Sequence, residues 1–111
     1  MTFEDATNKA LAFREDRDWA QFHNPKDLAI SINLEAAELL ENFQWSGTDT
    51  EVAGKRGNMA EELADVVIYC IYFADALGIN LTDAISAKID ANSKKYPVEK
   101  SRGKPSKYTE L

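Results

Sequence analysis

Apolar residues recur at intervals of three and four along most of this chain, and prolines are absent between Lys26 and Tyr96. That period predicts helices, because residues three and four apart share one helical face. A first helix is expected from Thr2 to Trp19, with Phe3, Ala6, Ala10 and Phe13 on one side. Asn24 followed by Pro25 has the form of an N-cap with proline at the first helical position, starting a second helix that runs to Trp45 before Ser46-Gly47. A polar stretch from Thr48 to Arg56 separates it from a third helix, strong from Asn58 to Leu77 and closed by Gly78. Thr82 or Asn80 opens a fourth that Tyr96-Pro97 breaks. Residues 98–111 contain Gly103 and Pro105 and are expected to form an extended tail. The expectation is an all-α domain over residues 1–97, an antiparallel four-helix bundle, followed by a basic C-terminal tail.

Four acids interrupt the two most apolar stretches. Glu35 and Glu38 stand in EAAE, and Glu62 and Asp65 in ELAD. Each pair sits at i and i+3, so its carboxylates share a helical face with Cβ atoms roughly 5–6 Å apart. In the second helix one apolar stripe is Leu28, Ile32, Ala36, Leu39 and Phe43, and Ile30 and Leu34 lie on another side; the two acids project between them. In the third helix Met59, Leu63, Val66, Cys70, Phe73 and Leu77 form one stripe, while Val67, Ile68 and Ile71 form another. The strip between them carries Asn58, Glu62, Asp65, Tyr69 and Tyr72.

One such pair alone is most often a solvated face. Two pairs on neighbouring antiparallel helices, each bordered by apolar surface, instead suggest an oxygen-lined cation site. Glu41 and Glu61 extend the rows as surface acids or as extra ligands. All-carboxylate donors without clustered His or Cys suit Mg²⁺ or Mn²⁺ better than zinc. A ferritin-like di-iron bundle needs Glu-x-x-His from two helices, and the sole histidine, His23, lies outside both pairs.

Charge narrows the ligand. The chain carries 19 acids and 13 bases, a net charge of −6, which disfavours binding to a nucleic acid polymer through its backbone. Residues 1–87 hold 16 acids against 6 bases, whereas residues 88–111 hold 7 bases against 3 acids. An acidic body with a basic tail suits a phosphorylated small molecule bound through metal ions. The single cysteine, Cys70, rules out a disulfide within the chain and reads as a small buried apolar side chain. No basic-then-apolar leader opens the chain, and the longest apolar run, Val66 to Phe73, is far short of the ~20 residues a membrane span requires. A cytoplasmic protein without a membrane partner is expected.

EAAELLENFQW followed downstream by ELADVVIY resembles the MazG-like all-α nucleoside triphosphate pyrophosphohydrolases, whose signature is E-x-x-E with a later E-x-x-D. FREDRDWAQFHNPKDLAISINLEAAELLENFQW and KIDANSKKYP are similar to segments of the dCTP pyrophosphatase branch, so the likeness covers about residues 10–97. The resemblance implies Mg²⁺-dependent hydrolysis of a dNTP between its α- and β-phosphates, in the service of nucleotide-pool house-cleaning. It implies that Glu35, Glu38, Glu62 and Asp65 hold the ions and carry catalysis, without singling out which Glu takes a proton from water. It further implies that Lys88, Asn92, Lys95 and Tyr96 contact the triphosphate and that Trp19 and Trp45 border the base.

Phe22, His23 and Tyr69 are candidates for the pocket wall; Tyr69 is one turn beyond Asp65. Apolar surface on more than one side of the third helix, together with the family likeness, implies a homodimer or homotetramer. Base preference stays open, with a broader dNTP or dUTP pyrophosphohydrolase as an alternative. So does a non-catalytic helical interaction module, in which the acids are only a charged face.

Overall fold

The computed structural model describes residues 1–111. It is all-helical, with α1 over Phe3–Asp16, α2 over Pro25–Glu41, α3 over Arg56–Ala76, α4 over Leu81–Lys95 and a short α5 over Val98–Ser101. Single 3₁₀ turns occupy Ala20–Phe22, Ala53–Lys55 and Tyr108–Glu110. The chain divides into two compact units, Met1–Gly78 and Ile79–Leu111.

In the first unit, local chemistry starts each early helix. The Thr2 hydroxyl accepts the Asp5 N–H at 3.1 Å and the Asp5 carboxylate accepts the Thr2 N–H at 2.9 Å, a reciprocal capping box. The Asn24 side-chain oxygen accepts the Asp27 N–H at 2.9 Å, and Pro25 occupies the first helical position. Both helices stop earlier than their periodicity predicts. The α1 helix ends at Asp16 instead of Trp19, because Asp18 turns left-handed at φ 53°. The N–H groups of Arg17 and Trp19 both return to the Arg14 carbonyl. The α2 helix ends at Glu41 instead of Trp45; the buried Asn42 side chain donates to the Leu39 carbonyl at 3.0 Å, and Trp45 itself is left-handed at φ 65°. Beyond the end of α3, Gly78 adopts φ 65°, a backbone state that favours glycine.

The register of the three helices follows from their contacts. Leu28 of α2 packs with Ile71 and Tyr72 of α3, while Glu35 of α2 faces Glu62 and Asp65. As α2 advances, its contacts therefore move back along α3, so the pair is antiparallel. Ala10 and Arg14 of α1 meet Tyr72 and Asp75 in that order, so α1 runs parallel to α3. The buried core is small: Leu28, Ile71, Tyr72 and Ala74, with Ala10, Leu11, Val67, Ile68, Tyr69 and Phe73 partly buried around the first three. Cys70 is half-buried with a free thiol, whose pKa burial raises.

In the second unit the Asn80 side chain caps α4 by accepting the Asp83 N–H at 3.1 Å, which places the helix start at the earlier of the two expected caps. The helix ends before Tyr96-Pro97, as the sequence suggests. The tail is more ordered than an extended strand: α5 forms a helical turn, Tyr96 and Tyr108 meet edge-to-face at 6.1 Å, and the Lys95 ammonium lies 5.0 Å from the Tyr108 ring centre. No helix is long and apolar enough to cross a membrane.

Candidate active site

The antiparallel register of α2 and α3 brings the two acid pairs together. One carboxylate oxygen from each of Glu35, Glu62 and Asp65 lies within 4.8 Å of the others. Two oxygens on opposite sides of one Mg²⁺ at ~2.1 Å stand about 4.2 Å apart, so small side-chain adjustments would bring these donors to a single ion. Glu35 Oε2 and Glu62 Oε2 are sealed from solvent and lack any hydrogen-bond partner.

Their protonation reflects that position. Burial, then the neighbouring Glu38 carboxyl, then the charges of Asp65 and Glu62 raise the Glu35 pKa above its ordinary value. Burial and Glu38 do the same for Glu62, with Asp65 and Glu41 adding repulsion. The donor set is all oxygen, and the residues that carry the two unmatched oxygens belong to one cluster. That chemistry fits a hard divalent cation, which would relieve both the repulsion and the unmet hydrogen-bonding capacity.

Beside the acids the first unit forms an open cavity of about 540 Å³. Its walls are Phe3, Ala6, Lys9, Ala10 and Phe13 from α1, then Trp19 and His23, and Asp65, Tyr69 and Tyr72 with their apolar neighbours on α3. The apolar side of α1 therefore lines a cavity: Phe3 is 61% exposed and Phe13 45%. Phe13 and Trp19 meet edge-to-face at 5.6 Å, and the Arg17 guanidinium lies 3.6 Å from the Phe13 ring centre. On the other wall His23 lies against Tyr72 at 5.1 Å between ring centres, and Tyr69 meets Tyr72 edge-to-face at 6.1 Å.

The His23 Nδ1 atom is buried without a partner; burial first, and the Arg14 charge second, lower the His23 pKa and favour a neutral ring. Burial and then the charges of Glu35, Asp65 and Glu38 raise the Tyr69 pKa, so its hydroxyl stays protonated. Asp65 and Tyr69 connect the two regions. Asp65 contributes to the acid cluster and to the cavity wall, and Tyr69 lines that wall while sensing the charge of the acids.

Of the residues singled out from the sequence, Glu35, Glu38, Glu62 and Asp65 converge, and Trp19, His23 and Tyr69 line the adjoining cavity. Trp45 does not line it and is 93% exposed, and Phe22 is also outside it. Lys88, Asn92, Lys95 and Tyr96 belong to the second unit; Lys88, Asn92 and Lys95 fall on one strip of α4, and Asn92 is half-buried. Phe13 and Tyr72 were missed as wall residues. Tyr72 was legible in principle, since Glu62, Asp65, Tyr69 and Tyr72 follow a 3-4-3 spacing on one face.

Comparison with known proteins agrees with this geometry. The MazG-like family model matches residues 30–111. The chain is 40% identical to dCTP pyrophosphatase 1 of Mus musculus over 116 residues, covering 99% of this chain and 68% of the relative. It is 38% identical to dCTP pyrophosphatase 1 of Homo sapiens over the same share of each. A crystal structure of a pyrophosphatase from Archaeoglobus fulgidus is similar with a TM-score of 0.77 and 42% identity, covering 86% of this chain and 92% of that one. An acid cluster assembled from E-x-x-E and E-x-x-D on antiparallel helices, a matching family model and these relatives give one conclusion: this chain belongs to the MazG-like family.

Proposed function

We propose that the protein is a Mg²⁺-dependent pyrophosphohydrolase that converts a deoxynucleoside triphosphate, dCTP or a modified dCTP, to the monophosphate and pyrophosphate. That the chain is a nucleoside triphosphate pyrophosphatase rests on its relatives, named dCTP pyrophosphatase, and on its pyrophosphatase structural neighbour. The observation that carries the finer reading is the junction at Asp65 and Tyr69, where an acid cluster adjoins an aromatic cavity. A nucleotide has the same two-part chemistry, with a polyanion at one end and a flat base at the other.

In this reading Glu35, Glu38, Glu62 and Asp65 hold Mg²⁺, with Mn²⁺ a possible substitute. Bound there, the metal supplies charge neutralisation for the triphosphate and a lowered pKa for an attacking water. One of the three glutamates would take the proton from that water. Trp19, His23 and Tyr69 receive the base, and the neutral Tyr69 hydroxyl offers a hydrogen bond beside the acids. Lys88, Asn92, Lys95 and Tyr96 are assigned to the triphosphate by family likeness, and Lys or Arg suits that role because charge-assisted bonds to phosphate are strong. Trp45 is assigned to the base on the same ground, through a contact that the isolated chain does not make. Assembly as a homodimer or homotetramer would also cover exposed Ile30, Leu34, Leu40 and Leu63; the compartment proposed is the cytoplasm.

Incubation with Mg²⁺ and each dNTP in turn tests the proposal. Fastest formation of dCMP and pyrophosphate from dCTP supports it. Comparable rates with all bases would favour a broader dNTP or dUTP enzyme, and no turnover of any dNTP would favour a non-catalytic interaction module.

A further inference from the structure

Behind the cavity wall stands a charged group that the proposed reaction does not use. Arg14, in the last turn of α1, is only 7% exposed, the most buried charged side chain in the protein. Its Nη2 donates to Asp75 Oδ2 at 2.8 Å and to Glu15 Oε1 at 2.7 Å, and its Nε donates to the same Glu15 oxygen at 3.0 Å. The guanidinium carbon then lies 5.4 Å from the centre of the Tyr72 ring. Tyr72 is fixed at its other end, since its hydroxyl donates to the Ala10 carbonyl at 2.8 Å. Tyr72 also neighbours His23, and both rings line the cavity, whereas Arg14 does not.

A buried arginine is costly unless its donors are used. Here two carboxylates from different parts of the chain, Glu15 on its own helix and Asp75 on α3, use them. The result is a continuous chain of contacts, from Asp75 through Arg14 and Tyr72 to His23, that ends at the cavity wall. Arginine suits this position because its planar head can accept two ion pairs at its edge while its face covers an aromatic ring.

We propose that Arg14 is a positioning residue for the nucleotide: locked by Asp75 and Glu15, it holds the Tyr72 and His23 rings as a preformed wall for the base. This rests on the assignment of the cavity to the base. Arg14 acts on substrate only through those rings, so its loss weakens binding without touching the acids that carry the chemistry. Tyr72 touches His23 and the Arg14 charge reaches it, and the other charged or titratable groups in the same cavity wall are Lys9 on α1 and Asp65 and Tyr69 on α3.

The test compares Arg14→Met, which keeps bulk and removes charge, with Arg14→Lys and with Asn42→Ala, which removes a buried hydrogen bond outside the cavity wall. In Arg14→Met, KM for dCTP is expected to rise about tenfold while kcat stays within about threefold, the signature of lost binding rather than lost chemistry. Arg14→Lys should recover part of the loss, and Asn42→Ala should lower the melting temperature with KM unchanged. A second readout needs no turnover. His23 is the only histidine in the chain, so its imidazole C–H resonances are unambiguous, and the Tyr72 ring should displace them from their free positions. In Arg14→Met they should move toward the free values, and in Asn42→Ala they should not. Unchanged KM and unchanged His23 resonances in a folded Arg14→Met protein would overturn the role. If no dNTP is turned over, the base assignment itself fails, whereas the resonances still report whether Arg14 orders the stack.

Discussion

The two halves of α3 present opposite solutions to the burial of polar groups. In the first half, Glu62 and Asp65 meet Glu35 across the helix pair, and two of the carboxylate oxygens are sealed from water without partners. In the second half, Tyr72 donates to Ala10 and Asp75 receives Arg14. Leu28, Ile71 and Tyr72 close the core beside them. One end of the helix therefore stores unmet charge and the other end is satisfied. Buried polar groups normally find partners, so two unpartnered oxygens within one acid cluster are what the proposed metal site would account for.

The largest expected effect breaks the unsatisfied end. Glu62→Gln or Asp65→Asn should lower kcat/KM with dCTP and Mg²⁺ by at least about 100-fold, while removal of a repelling charge leaves the metal-free melting temperature equal or higher. Full turnover in either variant would separate the acids from the chemistry. A cut at the satisfied end should do the reverse. Leu28, 1% exposed, is the best-buried side chain, and Leu28→Ala should cost about 2–5 kcal/mol of stability in chemical denaturation. Its kcat should survive wherever the protein remains folded.

Mg²⁺ sharpens the same contrast in the unmodified protein. A ligand that binds only the folded state stabilises it by about 2.7 kcal/mol at one hundred times its dissociation constant. The melting temperature should therefore climb with Mg²⁺ and fall back on chelation, and Glu62→Gln should blunt that response. The smallest effect is the pH dependence of the metal-free protein, whose sign differs between the two regions. Glu35 and Glu62 have raised pKa values in the fold, so the folded state holds more protons than the unfolded chain just above the ordinary carboxylate range. Their contribution to stability grows as pH falls through that window. His23 has a lowered value, so the unfolded chain takes up the proton first and stability declines as pH drops below about 6.5. Melting curves of Glu35→Gln should show a shallower acid slope, and those of His23→Asn should lose the opposing one.

The same division explains what could be read from the sequence. The convergence of the acids was legible because chemistry and spacing coincide: two carboxylates per helix at i and i+3, bordered by apolar residues that a plain solvated face does not require. Helix starts were legible at Thr2, Asn24 and Asn80 because a cap is a local hydrogen bond. The ends of α1 and α2 were not: Asp18 and Trp45 enter the left-handed region, and a tryptophan gives no sign of that turn in the sequence. The cavity was harder still. Phe3, Ala6, Ala10 and Phe13 have the spacing of a packing face, and periodicity does not distinguish a face that fills a core from one that borders a void. Arg14 carried no signal, because its partner Asp75 lies 61 residues away.

The most direct test of the account follows the phosphorus of dCTP by ³¹P NMR in the presence of Mg²⁺, with wild type and Glu62→Gln in parallel. Wild type should yield dCMP and pyrophosphate and Glu62→Gln almost none. Release of orthophosphate with dCDP, or equal product from both proteins, would contradict the assignment of the acid end of α3 to cleavage of the α–β bond.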